Sequence, residues 1–189
     1  SVILSALSVA DNSLISAGII PSGTSIIGSK ITALYFMVGG TADTHKLNFM
    51  DPRDADDAYR LTFNGSWTHS ATGALPNGID AWADTHLNPK TTLGLDSTHL
   101  AYYSRTNNSS VVVEIGCADS FFCEMYIKLG TDMYALINDN TSGDAFTVAD
   151  SLGLFVGNRN SSLNRTYWKK GVKLYTQVVA SVDQPNLNA

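Results

Sequence analysis

The sequence predicts an all-β protein, an antiparallel sandwich or jelly roll preceded by a short N-terminal arm or helix. Three observations predict it. Ser, Thr, Asn, Asp and Gly are abundant, while Glu114 and Glu124 are the only glutamates in 189 residues. Helices favour Glu, Lys, Arg and Gln on their wet faces, so this is the vocabulary of strands and turns. Short segments alternate apolar and polar residues with a period of two. Polar turns separate them at near-regular spacing, the pattern of a sandwich.

The elements follow in order. Residues 1–30 are rich in Ser, Ile, Gly and Ala, and Ile3, Leu7, Ala10 and Leu14 fall at loose helical spacing. This is the expected arm, leaning its apolar side on the main domain, residues 31–189, or on another subunit. Ser1–Leu7 lacks the basic region of a signal peptide, and the missing initiator Met points to a processed or partial chain. Ile31–Val38 is a near-continuous apolar run closed by Gly39-Gly40, which suits a buried strand and a short helix equally.

From there strands dominate. Tyr59, Leu61 and Phe63 share one expected face, and Val111, Val113 and Ile115 another. In Cys123–Leu129, Cys123, Met125, Ile127 and Leu129 are expected inward, with Glu124 and Lys128 outward. Gly130-Thr-Asp132 turns into Met133–Ile137, and Leu152–Val156 reads as a buried strand. Tyr167-Trp168 and Val172–Tyr175 flank a hairpin turn at Lys169-Lys170-Gly171. Asn64–Asn88 shows little strand pattern and is expected as a long functional or interface loop.

Composition narrows the function. A chain of this length buries roughly 70% of its unfolded surface and needs no metal or disulfide to fold. Hydrophobic residues make up 44% and charged residues 15%, which excludes a disordered chain and argues against a coiled coil. The net charge of -5, with no long basic run, gives nucleic-acid binding no electrostatic support. No apolar stretch reaches the roughly 18 residues of a membrane span.

Catalytic and metal signatures are weak. There is no nucleophile elbow, zinc-protease motif, P-loop or dinucleotide fingerprint. His45, His69, His86 and His99 lack metal-ligand spacing. Glu114 and Glu124 sit singly on separate strands, unlike a glycosidase pair, and Asp84, Asp96, Asp119 and Asp132 read as solvated turn residues. Cys117 and Cys123 frame a spacing that is neither redox motif nor zinc pattern; they read first as two small buried or half-buried thiols, though in a hairpin they would face each other. Two runs carry the oxygen ligands calcium takes. Asn138–Gly143 imitates the start of an EF-hand loop, but Ala149 stands where a bidentate Glu is required. Asp51–Asp57 holds four carboxylates. Both read first as solvated loops, so no cofactor and no enzymatic activity are expected, with calcium the alternative.

Aromatic residues near polar loops are the better lead. Trp67, Trp82 and Tyr103, with Arg105 and Asn107, combine flat rings for sugar C–H contact with planar groups for hydroxyls. Five is the candidate carbohydrate set, weighed against rings that merely anchor loops.

A set of motifs then resembles a known family. It runs from Val38-Gly-Gly-Thr-Ala-Asp-Thr-His45-Lys46-Leu-Asn48 through Asp51-Pro-Arg-Asp54-Ala-Asp-Asp-Ala-Tyr59-Arg60-Leu61-Thr62-Phe63-Asn64-Gly65. It continues in Trp67–Gly78, His99–Thr106, Gly153–Arg159 and Trp168–Lys173. Together, over roughly residues 31–180, these resemble tailed-phage and prophage structural proteins with a concanavalin A-like, laminin-G-type jelly roll. The resemblance implies a virion component in a tail, fibre or head appendage, a homo-oligomer assembled with other virion proteins and attaching to host-surface polysaccharide. Such proteins continue past the segment matching Ser181–Asn188 into another strand, so the sandwich is expected to lack its last strand unless a neighbour supplies it. A purely structural capsid decoration or head-fibre subunit, and a polysaccharide depolymerase, are the rival readings.

Overall fold

In the computed structural model, residues 31–109, 112–141 and 145–187 are described. The expected arm, residues 1–30, lies outside them. The chain is mostly β, its paired strands antiparallel, and it divides into two compact units, Ser1–His86 and Leu87–Ala189.

In the first unit the apolar run Ile31–Val38 forms neither strand nor helix. It is tied down by the buried amide of Asn48. The Asn48 Oδ1 accepts from Leu34 N at 2.9 Å, and its Nδ2 donates to Thr32 O at 3.3 Å and Ala58 O at 3.0 Å. Local periodicity could not decide this segment because a side chain fourteen residues away decides it. A one-turn helix, α1 (Ala42–His45), starts at a capping box between Thr41 and Thr44, which satisfies the exposed N–H groups of its first turn. A 3-10 turn at Asp56–Ala58 closes with Tyr59 in the left-handed region, φ 58°. That conformation breaks extension, so the expected strand from Tyr59 shortens to β1 (Thr62–Asn64).

The expected loop Asn64–Asn88 is more regular than its sequence suggests. It contains the hairpin of β2 (Trp67–Ser70) and β3 (Gly73–Pro76), then β4 (Trp82–Asp84), which pairs with β1. These strands are three or four residues long, too short for a period-two signal to stand out.

The second unit opens with a one-turn helix, α2 (Pro89–Thr92), capped by Asn88, and its described residues hold eight strands. They are β5 (Thr98–Ser104), β6 (Ile115–Ala118), β7 (Phe122–Leu129), β8 (Asp132–Asp139), β9 (Phe146–Thr147), β10 (Gly153–Ser161), β11 (Asn164–Lys169) and β12 (Val172–Val178). One sheet has the order β12-β11-β10-β5 and the other β6-β7-β8-β9. Leu100, Met125, Ile127, Met133, Ile137, Phe155 and Tyr167 come from both sheets and form one buried cluster. Burying them is the main stabilising term, at about 25 cal/mol per Å² of apolar surface. The sheets approach closely at Gly157, where an added Cβ would lie 2.4 Å from the Ala135 Cβ.

Of the residues expected inward in Cys123–Leu129, Cys123, Met125 and Ile127 are buried, while Leu129 is only half-buried beyond an irregularity in the β7–β8 register; β11 and β12 flank the Lys170-Gly171 turn. Three further expectations are corrected. Glu124, expected in solvent, is 6% exposed. Val113, expected on one face with Ile115, lies exposed ahead of β6, because that strand begins only at Ile115; Val111 lies outside the described residues. Asn138 and Asp139, read first as part of a solvated loop with calcium the alternative, end β8 and are fully buried; residues 142–144 of that run are not described.

Asp139 is the centre of a buried ionic cluster. Its Oδ2 lies 2.6 Å from Arg165 Nη1 and 3.2 Å from Arg159 Nη2. Arg159 Nε donates to Ile137 O at 2.7 Å and Nη1 to Val179 O at 3.0 Å. Arg165 Nη2 donates to Gln177 Oε1 at 2.6 Å, which also accepts from Tyr167 Oη at 3.2 Å. Burial, followed by the neighbouring Arg165, pulls the Arg159 pKa below its ordinary value. One carboxylate thus serves two guanidinium groups and ties β8, β10, β11 and β12 together.

Candidate functional site

The five sequence-derived candidates fall in the two units, Trp67 and Trp82 in the first and Tyr103, Arg105 and Asn107 in the second. Trp67 is half-buried on β2. Its Nε1 donates to Asn64 O at 2.9 Å, and its ring meets Phe63 edge-on at 5.1 Å and stacks on His69 at 6.3 Å. It anchors its hairpin. Trp82 stands opposite Asn64 across the β1–β4 ladder and is 57% exposed, so its ring is available to a ligand.

Behind Trp67 lies a histidine pair. His69 Nδ1 and the Nδ1 of buried His45 are 2.9 Å apart, and Gly40 N donates to His45 Nε2 at 3.3 Å. An acceptor at Nε2 makes neutral His45 the Nδ1–H tautomer, which donates to His69 Nδ1. A metal held on both Nδ1 atoms would require N–H at His45 Nε2, facing the Gly40 N–H. The arrangement therefore suits one shared proton.

In the second unit β5 turns Tyr103 away from the core, 67% exposed, while Leu100 and Tyr102 pack inward. Arg105 follows it, exposed, at the strand end. The Asn107 Oδ1 accepts from Ser151 N at 3.1 Å, and Ser151 Oγ donates to Thr106 O at 3.0 Å. Asn107 thus builds the loop beside Tyr103.

A further polar face escaped sequence reasoning. The inward residues of β7 and β8 leave Glu124, Tyr126 and Tyr134 on the opposite side of that sheet. Tyr126 Oη donates to Glu124 Oε1 at 3.2 Å, and its ring meets Tyr134 edge-on at 6.3 Å. Glu114, ahead of β6, accepts from Ile127 N at 2.8 Å and so continues the ladder past the strand end. Burial pushes the Glu114 pKa up to about 6 and raises that of Glu124. The signal was present: both glutamates of the chain lie here. Polarity alone places Glu124 in solvent.

The Asp51–Asp57 carboxylates are engaged by cations. Arg53 pairs with Asp51 at 2.7 Å and Asp57 at 3.2 Å, Lys46 with Asp54 at 2.8 Å, and Arg60 with Asp56 at 2.8 Å. Among the described residues no three His, Cys, Asp or Glu side chains group as metal ligands, and no helix is long and apolar enough to cross a membrane.

Compared with known proteins, the chain matches no protein-family model, no curated protein and no solved structure.

Proposed function

We propose that the chain is a non-enzymatic phage virion protein of a tail, fibre or head appendage, whose lectin-like sandwich attaches to host-surface carbohydrate. Tyr103 carries this reading: a flat ring 67% exposed on a rigid strand, followed by the exposed Arg105. Sugar rings offer C–H faces to aromatics and hydroxyls to guanidinium and amide groups. The motif resemblance supports the setting, and the facing antiparallel sheets of the second unit support the jelly-roll, concanavalin A-like assignment. Trp82 supplies a separate exposed ring in the first unit. Display in several copies, alongside other virion proteins, raises avidity without new contacts.

The test is binding of the labelled chain to intact host cells, with host polysaccharide as competitor. Saturable, competed binding is expected. Tyr103→Ala and Trp82→Ala should each weaken it by about tenfold, the equivalent of roughly 1.4 kcal/mol, while leaving Tm unchanged because both rings are exposed. Wild-type binding by both variants refutes the assignment. One observation favours the second reading, a structural decoration or fibre subunit. The edge strand β12 exposes Val172 and Val178, so another chain could pair beside it. Absence of cell binding by a folded oligomer would select it.

A further inference from the structure

We propose that Cys117 and Cys123 are a redox pair that closes into a cross-strand disulfide when the chain meets a low-molecular-weight disulfide such as glutathione disulfide. The inference goes beyond the attachment reading and does not depend on it. β6 and β7 form a tight hairpin, and their register sets Cys117 directly opposite Cys123. Directly opposed residues in an antiparallel ladder point to the same face, with Cα atoms roughly 4.5–5.5 Å apart. A disulfide spans Cα separations of about 4.4–6.8 Å, so the register places the two cysteines within bridging range. Both residues are free thiols in the structure.

Their surroundings give them different roles. β6 is the edge of its sheet, and Cys117 on it is half-buried, whereas Cys123 is 1% exposed. Cys117 is therefore the thiol that an oxidant meets first. Its Sγ donates to Leu187 O at 3.7 Å, a weak bond that oxidation gives up. No third metal-ligating side chain groups with the pair among the described residues, which favours covalent closure over a metal site.

The chemistry is two exchange steps. The Cys117 thiolate attacks one sulfur of glutathione disulfide, that S–S bond breaks, and one glutathione leaves as a thiolate and takes up a proton. Cys123 loses its proton to solvent and attacks the Cys117 sulfur. The Cys117–Cys123 bond forms, and the second glutathione leaves and is protonated. Two protein thiols are oxidised and one glutathione disulfide is reduced to two thiols. Burial pushes the Cys117 thiol up to about 11 and that of Cys123 up to about 12. Thiolate is scarce at neutral pH, so closure is slow there and accelerates as pH rises.

The test uses the full chain, reduced, then incubated with glutathione disulfide across a pH series, acid-quenched, denatured and labelled with a maleimide. The expected product has lost two hydrogens by mass, takes no label, and yields a looped peptide containing both cysteines. Its formation rate should climb about tenfold per pH unit while the pH stays below the Cys117 pKa. Cys123→Ser should stop at a glutathione adduct on Cys117, and Cys117→Ser should leave Cys123 unmodified. Two labels after prolonged oxidation, a persistent single adduct on the wild-type chain, or a disulfide-linked dimer would overturn the proposal. The wild-type masses decide it even where a variant fails to fold.

Discussion

Replacing Asp139 by Asn removes one charge from the interior and almost no volume. The carboxylate is fully buried and contacts two fully buried guanidinium groups, Arg165 at 2.6 Å and Arg159 at 3.2 Å. Asn removes the ion-pair partner of both cations and leaves Arg159 only the longer-range field of Asp96. Breaking a buried ion pair by removing one partner costs about 3–5 kcal/mol. One anion serving two cations puts Asp139→Asn at the upper end. At about 2–4 °C per kcal/mol for a chain of this size, Tm should fall by on the order of 10 °C or more. With a urea m-value of about 2 kcal/mol/M, the midpoint should fall by roughly 2 M. Arg165→Met is the informative comparison. It leaves a neutral Arg159–Asp139 pair, fills most of the space, and keeps Gln177 bonded to Tyr167, so it should cost less than Asp139→Asn. Urea unfolding followed by far-UV circular dichroism and by tryptophan fluorescence, to which Trp168 on β11 contributes, reads both variants. A loss under about 1 kcal/mol for Asp139→Asn, or a greater loss for Arg165→Met, refutes the charge-balance argument.

Three further outcomes are expected. The Glu114 pKa is raised to about 6 in the folded chain, so the native state holds that proton more tightly than the unfolded one, and the stability it contributes is lost as pH rises through about 6. Glu114→Gln keeps an acceptor for Ile127 N and should stabilise by on the order of 1 kcal/mol at neutral pH, after solvent screening, and by nothing below the ordinary Glu range; equal effects at both pH values in thermal melts would refute this. The His45 pKa lies below the ordinary His value because of burial, then of His69, against a backbone bond to Ser70 that raises it. Its stabilisation is therefore complete above about pH 6.5 and is lost as pH falls through the lower, folded value. His45→Phe should destabilise at neutral pH by about 1–3 kcal/mol, through the orphaned Gly40 N–H, and flatten the acid slope of stability; an unchanged slope in urea titrations would remove His45 from that role. Gly157→Ala should cost about 1–3 kcal/mol by forcing the sheets apart at Ala135 and Ile137, and an unchanged Tm would show that they separate freely there.

Parts of this architecture were legible because their signal is local. Cys123, Met125 and Ile127 alternate with polar neighbours over a few residues, and the Lys170-Gly171 turn carries its own chemistry. Trp82 and Tyr103 were legible as candidate rings, yet only their exposure separates them from Trp67, whose ring packs on Phe63 and His69. Asn107 was legible as a polar loop residue, while its bond to Ser151 joins positions forty-four residues apart. Glu124 was misplaced because polarity alone sends a glutamate to water, whereas Tyr126 gives this one a partner.

The sequence by itself determined that this protein is built of antiparallel strands, since composition, period-two alternation and turn residues act over a few positions. Tertiary structure decided which strands became neighbours, that Ile31–Val38 hangs on Asn48, that His45 shares a proton with His69, and that one aspartate pairs with two arginines inside the second unit. Each of these depends on groups brought together from distant points of the chain. A buried charge is tolerated only where its partner arrives, and no local pattern records that arrival.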